Sequence, residues 1–406
     1  MLLGLDIGSS RTKAVVVDAA GGQVAGATVT TPFVTVGERV EMEVDALLAG
    51  VGEVLSGLGD HLEHVTAVGI AGVAESGAPL DAARRVLAPV MAWHDPRGEE
   101  AVALLDRRFG PDLALRAGQT ANTKMTVAKL GWLLADGLKG MTRWLGVPEL
   151  VLHALTGVET TEFSLAARTG CYDVVARRWM PEVAEAVGFG IDVFPPVAAA
   201  GTVMGHVSAA GAAWSGLPEG VPVTIAGHDH LAGMVGAGVA AGEVANSVGT
   251  AETLVGRTAT VPDMAAALAN GVAVTVYPGG DEWALLVGAA RAGLVIEAEA
   301  GALGRSPAEL DASGGERWAQ VLAGLTARTV EAYHRLTSVL GPPARVVVFG
   351  GGSISVPWLE AKAAALPVPV VRSSVTSAVA RGAAALAGRS LGQQQVGQAA
   401  DGLDRR

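Results

Sequence analysis

The stretch Leu5-Asp6-Ile7-Gly8-Ser9-Ser10-Arg11-Thr12-Lys13 gathers residue types suited to holding phosphate. Gly8 to Thr12 must turn tightly between two apolar runs. Such a turn points backbone N–H groups and the hydroxyls of Ser9, Ser10 and Thr12 toward one concavity. Lys13 adds a cation, and Asp6 supplies a carboxylate able to hold a hydrated Mg2+ beside the phosphates. An ordinary hairpin with a polar turn is the alternative reading of this stretch by itself. The same outline recurs at Glu243–Gly256, where Ser247-Val248-Gly249-Thr250 makes a polar turn between strand-like runs. A glycine-rich strand end follows at Gly350-Gly351-Gly352-Ser353. Two phosphate-type turns and one such strand end suggest a nucleotide held between two lobes.

Asp229 lies between His228 and His230 after the apolar run Val221–Ala226. Two histidines two apart raise the question of a transition metal. In a turn they need not face the same way, and no third ligand with suitable spacing is visible. His61-Leu62-Glu63-His64 lacks the helical zinc spacing and reads as a solvated segment. The phosphate-loop spacing G-x-x-x-x-G-K-[ST] is absent. Gly236-Ala237-Gly238-Val239-Ala240-Ala241-Gly242 places its last glycine one residue late for a dinucleotide loop and reads as close backbone packing.

These groups need a scaffold. Leu3, Leu5 and Ile7 alternate as in a strand, Ala14–Val17 is a second strand, and Gln23–Thr31 a third after the Gly21-Gly22 turn. Further strands are expected at 65–72, 86–93, 221–226, 345–349 and 367–371. Helices are expected at 44–58, capped by Asp45, and at 98–109, 126–138, 181–187, 327–340 and 377–386. The chain of 406 residues is too long for one core, so two domains are expected, dividing near 231–243. Half of it is hydrophobic and 17% charged, which suits an enzyme with large buried sheets. The net charge of -11, without a long basic run, argues against nucleic acid as a partner. Cys171 is the single cysteine, read as a buried filler, and the cytosol is the expected compartment. The N-terminus lacks a basic region ahead of its apolar residues, and Asp6 interrupts the run, so no signal peptide is read there. Val193–Pro218 has no charged residue, yet its prolines and glycines exclude a membrane span.

The order of the motifs resembles the FGGY family of carbohydrate kinases, within the actin-like ATPase fold. Asp6–Lys13 is similar to the family's first phosphate motif, Ala226-Gly227-His228-Asp229 to the segment with the catalytic aspartate, and Ser247–Thr250 to the second phosphate motif. Phe349–Ser353 with Trp358-Leu359 is similar to the adenosine motif. Trp93-His94-Asp95-Pro96-Arg97 and Thr161–Gly170 are similar to two further segments, so the resemblance runs from about residue 1 to residue 388. It implies an α/β protein of two actin-like (ribonuclease H-like) domains, each a mixed five-stranded sheet flanked by helices, with a cleft between them. The implied boundaries are 1–235 and 236–388, with a mobile tail at 389–406.

The resemblance implies ATP and Mg2+ as cofactors and a small sugar as substrate. Asp229 would be the general base, since phosphoryl transfer needs positioning and charge neutralisation more than a strong base. Asp6 and Asp229 would hold Mg2+ through water. Gly8, Ser9, Ser10, Thr12, Lys13, Gly249 and Thr250 would meet the phosphates. Gly293, Gly351, Gly352 and Ser353 would lie at the adenosine, where side chains on Gly293 and Gly352 would block it; plain turn geometry is the alternative for these glycines. Glu75, Trp93, Asp95, His228 and Asp229 would meet the sugar. Ala74-Glu75 matches neither the Arg-Glu pair of glycerol kinases nor the Met-His pair of xylulose kinases. The Ala-Gly-His-Asp and Gly-Thr-x-Glu sequences lean toward the fuculose and rhamnulose kinases, and a pentulose or hexulose is expected. A homodimer is compatible with the resemblance. One departure stands out: only 100 residues separate Thr250 from Gly350, a shorter second domain than the family's usual one.

Overall fold

A computed structural model describes residues 1–392. Two six-stranded sheets form its centre. The first runs in the order Gly205–His206, Pro222–His228, Ala67–Gly72, Leu2–Ile7, Arg11–Val17, Gln23–Thr30. Leu2–Ile7 is parallel to Ala67–Gly72, which is parallel to Pro222–His228, and antiparallel to Arg11–Val17. The second sheet runs Ala273–Val276, Trp283–Ala290, Glu252–Thr258, Val244–Val248, Val346–Phe349, Val370–Arg372. Each is therefore the expected mixed sheet with one additional edge strand, Gly205–His206 in the first and Ala273–Val276 in the second.

Both faces of the first sheet are covered, which is why all six residues of Leu2–Ile7 are buried. Leu3, Leu5 and Ile7 pack with Leu47, Val51, Leu150 and Val151 of the helices Val44–Ser56 and Val147–Thr156. On the other face, Leu2, Val15 and Val17 meet Ala380, Ala384 and Ala387 of the helix Ala378–Ser390. That helix follows the second sheet in sequence yet packs on the first. A Cβ on Gly4 would come within 1.7 Å of the Ala380 carbonyl. The helix also crosses Asp229–Gly236, whose Leu231 and Met234 enter the core of the second sheet. The crossing is set by glycines: a Cβ on Gly382 would lie 1.8 Å from the Ala232 carbonyl, and one on Gly236 1.9 Å from that of Ala378. One helix from each half thus passes to the other, and the two are in backbone contact between the sheets.

A five-stranded sheet of Val34–Val36, Arg39–Met42, Val90–Met91, Gly77–Leu80 and Arg143–Gly146 sits on the first half. Helices Glu99–Phe109, Thr126–Ala135 and Pro181–Val187 enclose its neighbouring core, in which Leu105, Leu130 and Cys171 are fully buried. Burial pushes the Cys171 thiol far up, so it is the expected filler. Glu43 rather than Asp45 occupies the cap position of Val44–Ser56, and Asp45 falls in the first turn. No helix among the described residues is long and apolar enough to cross a membrane. Arg389 and Ser390, expected in the tail, are the last residues of a helix, and 393–406 lie outside the described residues.

Candidate active site

Strand register brings the carboxylates together. Ile7 pairs with Gly72 and Gly72 with His228, so three parallel strands end level with one another. Asp6 lies just inside the end of its strand, Glu75 three residues beyond the second, and Asp229 directly after the third. The carboxyl ends of parallel strands are where α/β sheets open into crevices. Asp6 is buried, and burial pushes its carboxyl up to about 7; Lys13, with its Nζ 4.0 Å away, pulls it down, while Asp229 adds to the rise. Asp6 and Asp229, with Lys13 beside Asp6, form an oxygen donor set suited to a hard divalent cation.

Asp229 opens its helix. Its Oδ1 accepts the His230 N–H at 2.7 Å, and the His228 Nε2 stands 3.2 Å from the same oxygen. Burial first, then His230 and Arg168, hold the His228 imidazole well below its usual range, so it is neutral beside the carboxylate. His230 turns to the other half, its Nδ1 2.9 Å from the Ser247 hydroxyl and its Nε2 3.2 Å from that of Thr253. Ligand atoms of His228, Asp229 and His230 lie within 4.8 Å of one another; both ring nitrogens of His230 are engaged with Ser247 and Thr253, whereas the buried His228 Nδ1 has no partner.

The two polar turns meet. The Ser10 and Thr250 hydroxyls, 240 residues apart, are 2.8 Å from each other. In the first turn the Gly8 N–H donates to the Arg11 carbonyl, and in the second the Gly249 N–H donates to that of Ala251. Ser9 accepts the Trp93 indole N–H at 2.8 Å, which ties the first turn to the segment expected at the sugar. Thr12 differs from expectation. It is buried, with its hydroxyl 3.0 Å from that of Thr31, which in turn donates to the Gly8 carbonyl at 2.7 Å. Alternation in the strand points Thr12 inward, so it braces the turn from behind.

The expected steric role of two glycines is also corrected. A Cβ on Gly293 would lie 2.6 Å from the Gly249 carbonyl, and one on Gly352 2.4 Å from Val248 Cγ1. These glycines let neighbouring backbone approach the second turn, which is the turn-geometry alternative. Gly351 faces open space, and the Ser353 hydroxyl is spent on the Gly350 carbonyl at 2.7 Å.

On the opposite side of the site, Glu75 has a left-handed backbone (φ 65°) and accepts a 2.6 Å bond from Arg168 Nη2. Arg84 and Arg85 pair elsewhere, with Glu159 and Asp81. Lys124 Nζ lies 5.1 Å from the Trp93 ring centroid. Lys129 is fully buried below them and donates to the carbonyls of Thr123 and Lys124 at 3.0 Å each, and burial lowers its ammonium to about 8. Asp95 does not reach a substrate position. Its side chain is fully buried and takes bonds from Arg97 Nε and Nη2, both at 2.7 Å, and from the Val40 N–H at 2.9 Å. Burial works to raise its carboxyl, and the Arg97 and backbone bonds outweigh it. Asp95 therefore fixes the segment carrying Trp93.

The model of the FGGY carbohydrate kinases' N-terminal domain matches residues 1–236, and that of their C-terminal domain matches 315–391. The chain belongs to the FGGY family of carbohydrate kinases. The L-fuculokinase of Salmonella typhi is 31% identical over 272 residues, which are 64% of this chain and 57% of that protein. The xylulose kinase of Escherichia coli K12 is 28% identical over 260 residues, 62% of this chain and 53% of that protein. The matches thus span little more than half the length of these curated relatives. Among solved structures, a xyloylose kinase from Brucella ovis superposes with a TM-score of 0.86 at 23% identity, covering 97% of this chain and 91% of that one. A ligand-bound xylulose kinase from Lactobacillus acidophilus gives 0.84 at 18% identity, covering 97% and 90%. These place the fold with the two-domain FGGY kinases.

Several residues of this FGGY chain went unassigned in the sequence. Arg168 and Ser164 lay inside a recognised segment without a role. The buried group of Glu252, Asn246, Thr329 and Lys362 had no sequence signal beyond the Gly-Thr-x-Glu string: Lys362 Nζ is 2.7 Å from both Glu252 and Asn246, and Thr329 donates to Glu252 at 2.8 Å.

Proposed function

We propose that the protein transfers a phosphoryl group from ATP to a hydroxyl of a small sugar, most simply a ketose or a related polyol, with Asp229 as general base. The observation that carries this reading is the meeting of the two polar turns at Ser10 and Thr250 on the edge where parallel strands bring Asp6 and Asp229 together. Asp229 accepts the proton of the attacking hydroxyl, and neutral His228 orients it. Ser9, Ser10, Lys13, Gly249 and Thr250 line the path of the phosphates, and Gly351 to Ser353 lie on the nucleotide side. Asp6 and Asp229 would hold Mg2+ through water, where the ion supplies neutralisation of phosphate charge. Glu75, Trp93 and His228 face the sugar, with Arg168 holding the Glu75 carboxylate. Domain boundaries near 235 and 388 divide the contributions, the sugar and base coming from the first part and the second turn and nucleotide side from the other.

The relatives named as fuculokinase and xylulose kinase support a ketose, and Ala74 beside Glu75 supports neither a glycerol- nor a xylulose-type pair at that strand end. The test is an ADP-release screen over ketoses, polyols and aldoses at saturating Mg-ATP. Turnover with one ketulose well above the rest is expected. ATP binding without turnover on any sugar would return the protein to a binding role.

A further inference from the structure

Asp229 projects from a strand end that is tethered from outside the sheet. Pro222–His228 pairs with Ala67–Gly72, but its register slips between Ile225 and Gly227. There the chain takes a left-handed turn at Gly227 (φ 96°). A Cβ on Gly227 would lie 2.6 Å from both Glu162 Oε2 and Ser164 Oγ, so the backbone passes directly over these two side chains. The next amide, His228 N–H, donates to Ser164 Oγ at 2.9 Å. An N–H only donates, so the serine oxygen is the acceptor and its own proton goes elsewhere. It goes to Glu162 Oε2 at 2.5 Å, the oxygen that also takes the Ser164 N–H at 2.7 Å.

We infer that Glu162 and Ser164 are positioning residues for Asp229: the Glu162 carboxylate orients the Ser164 hydroxyl, which receives the His228 N–H and fixes the strand end that carries the base. This rests on Asp229 being the base. Glu162 and Ser164 are both fully buried. No cation pairs with Glu162 among the described residues, and a buried carboxylate is a costly way to hold one serine unless its orientation matters. The strand needs no such link to stay in the sheet, because it pairs with Ala67–Gly72 on both sides of the slip. The tether acts at the last residue before Asp229, where a displacement of about 1 Å is enough to lower turnover by about a hundredfold.

The experiment compares Ser164→Ala, Glu162→Ala, their double variant, and the conservative Ser164→Thr and Glu162→Gln, with melting temperature and His228 amide exchange measured on each. Ser164→Ala and Glu162→Ala should each lower kcat by about tenfold to a hundredfold while both KM values stay within about twofold. The double variant should be no worse than the poorer single one, since both break one chain of bonds. Ser164→Thr keeps the hydroxyl and Glu162→Gln keeps an acceptor, so both should recover most of the turnover. His228 amide exchange should quicken in Ser164→Ala. Faster exchange with unchanged kcat would overturn the inference, as would kcat, KM and melting temperature all failing together in both conservative variants. Wild-type turnover in Asp229→Asn, assayed alongside, would instead remove the base assignment and with it the catalytic meaning of the tether, while the exchange data still report whether the tether exists.

Discussion

The two halves build the same hairpin and load it differently. Aligned on Gly8 and Gly249, Asp6 corresponds to Ser247. The residue facing Asp6 across its hairpin is Lys13, and the residue facing Ser247 is Thr253. The first hairpin therefore presents a charged pair to the cleft. The second presents two hydroxyls, and both are engaged with His230 of the helix that Asp229 opens. One half carries charge toward the proposed phosphates, and the other clamps the element bearing the proposed base. Buried acids occur in both halves, and one in the first, Asp95, is paired with Arg97. In the first half burial pushes Asp6, Glu149 and Glu162 up to about 7 each, with no arginine or lysine hydrogen-bonded to any of the three. In the second, Glu252 is fully buried against Lys362, behind the turn and away from the cleft.

The largest effect on stability belongs to the second half. Lys362→Met removes the cation and leaves Glu252 buried without its charge partner, which should lower unfolding free energy by about 3–5 kcal/mol in urea titration. A loss below about 1 kcal/mol would mean that the pair is not buried as described. Next comes the contrast between the hairpins. Asp6→Asn should reduce kcat/KM for Mg-ATP by about a hundredfold, roughly 2.7 kcal/mol, whereas Ser247→Ala should change it less than about tenfold. Equal losses in steady-state assays at several Mg2+ concentrations would erase the distinction.

The smallest effect concerns pH. The Glu149 carboxyl is raised from 4.5 to about 7, chiefly by burial, so the folded state binds its proton more tightly than the unfolded chain. Its contribution to stability is therefore full below pH 4.5 and is lost as pH rises toward 7. Glu149→Gln keeps an acceptor for the Thr161 hydroxyl and has no proton to lose. Between pH 5 and 8 the variant's unfolding free energy should fall by about 1–3 kcal/mol less than that of the native protein. Parallel curves would show that Glu149 ionises freely in the fold.

What could be read from the sequence was local. Apolar alternation located Leu2–Ile7, and Gly8 with its flanking hydroxyls marked the turn, because those patterns are written within a few residues. Asp229 stood out through its place after an apolar run. Asp95 was misread because its partner Arg97 folds back over it, and a fully paired acid looks the same in sequence as a free one. Thr12 was misread because its hydroxyl is claimed by Thr31, just past the end of the next strand. The return of Ala378–Ser390 to the first sheet depends on Gly4, Gly69, Gly236 and Gly382, small residues that only make sense once their partners are known. The Glu75–Arg168 bond joins residues 93 apart for the same reason.

The most direct measurement is the turnover of purified Asp229→Asn with the best sugar from the screen, alongside nucleotide binding and thermal melting. The substitution is nearly isosteric and keeps the oxygen that accepts the His230 N–H, so fold and ATP affinity should be preserved. The account predicts a fall in kcat of about two to four orders of magnitude. Turnover within a few-fold of the native protein, in a variant that melts and binds ATP normally, would contradict it.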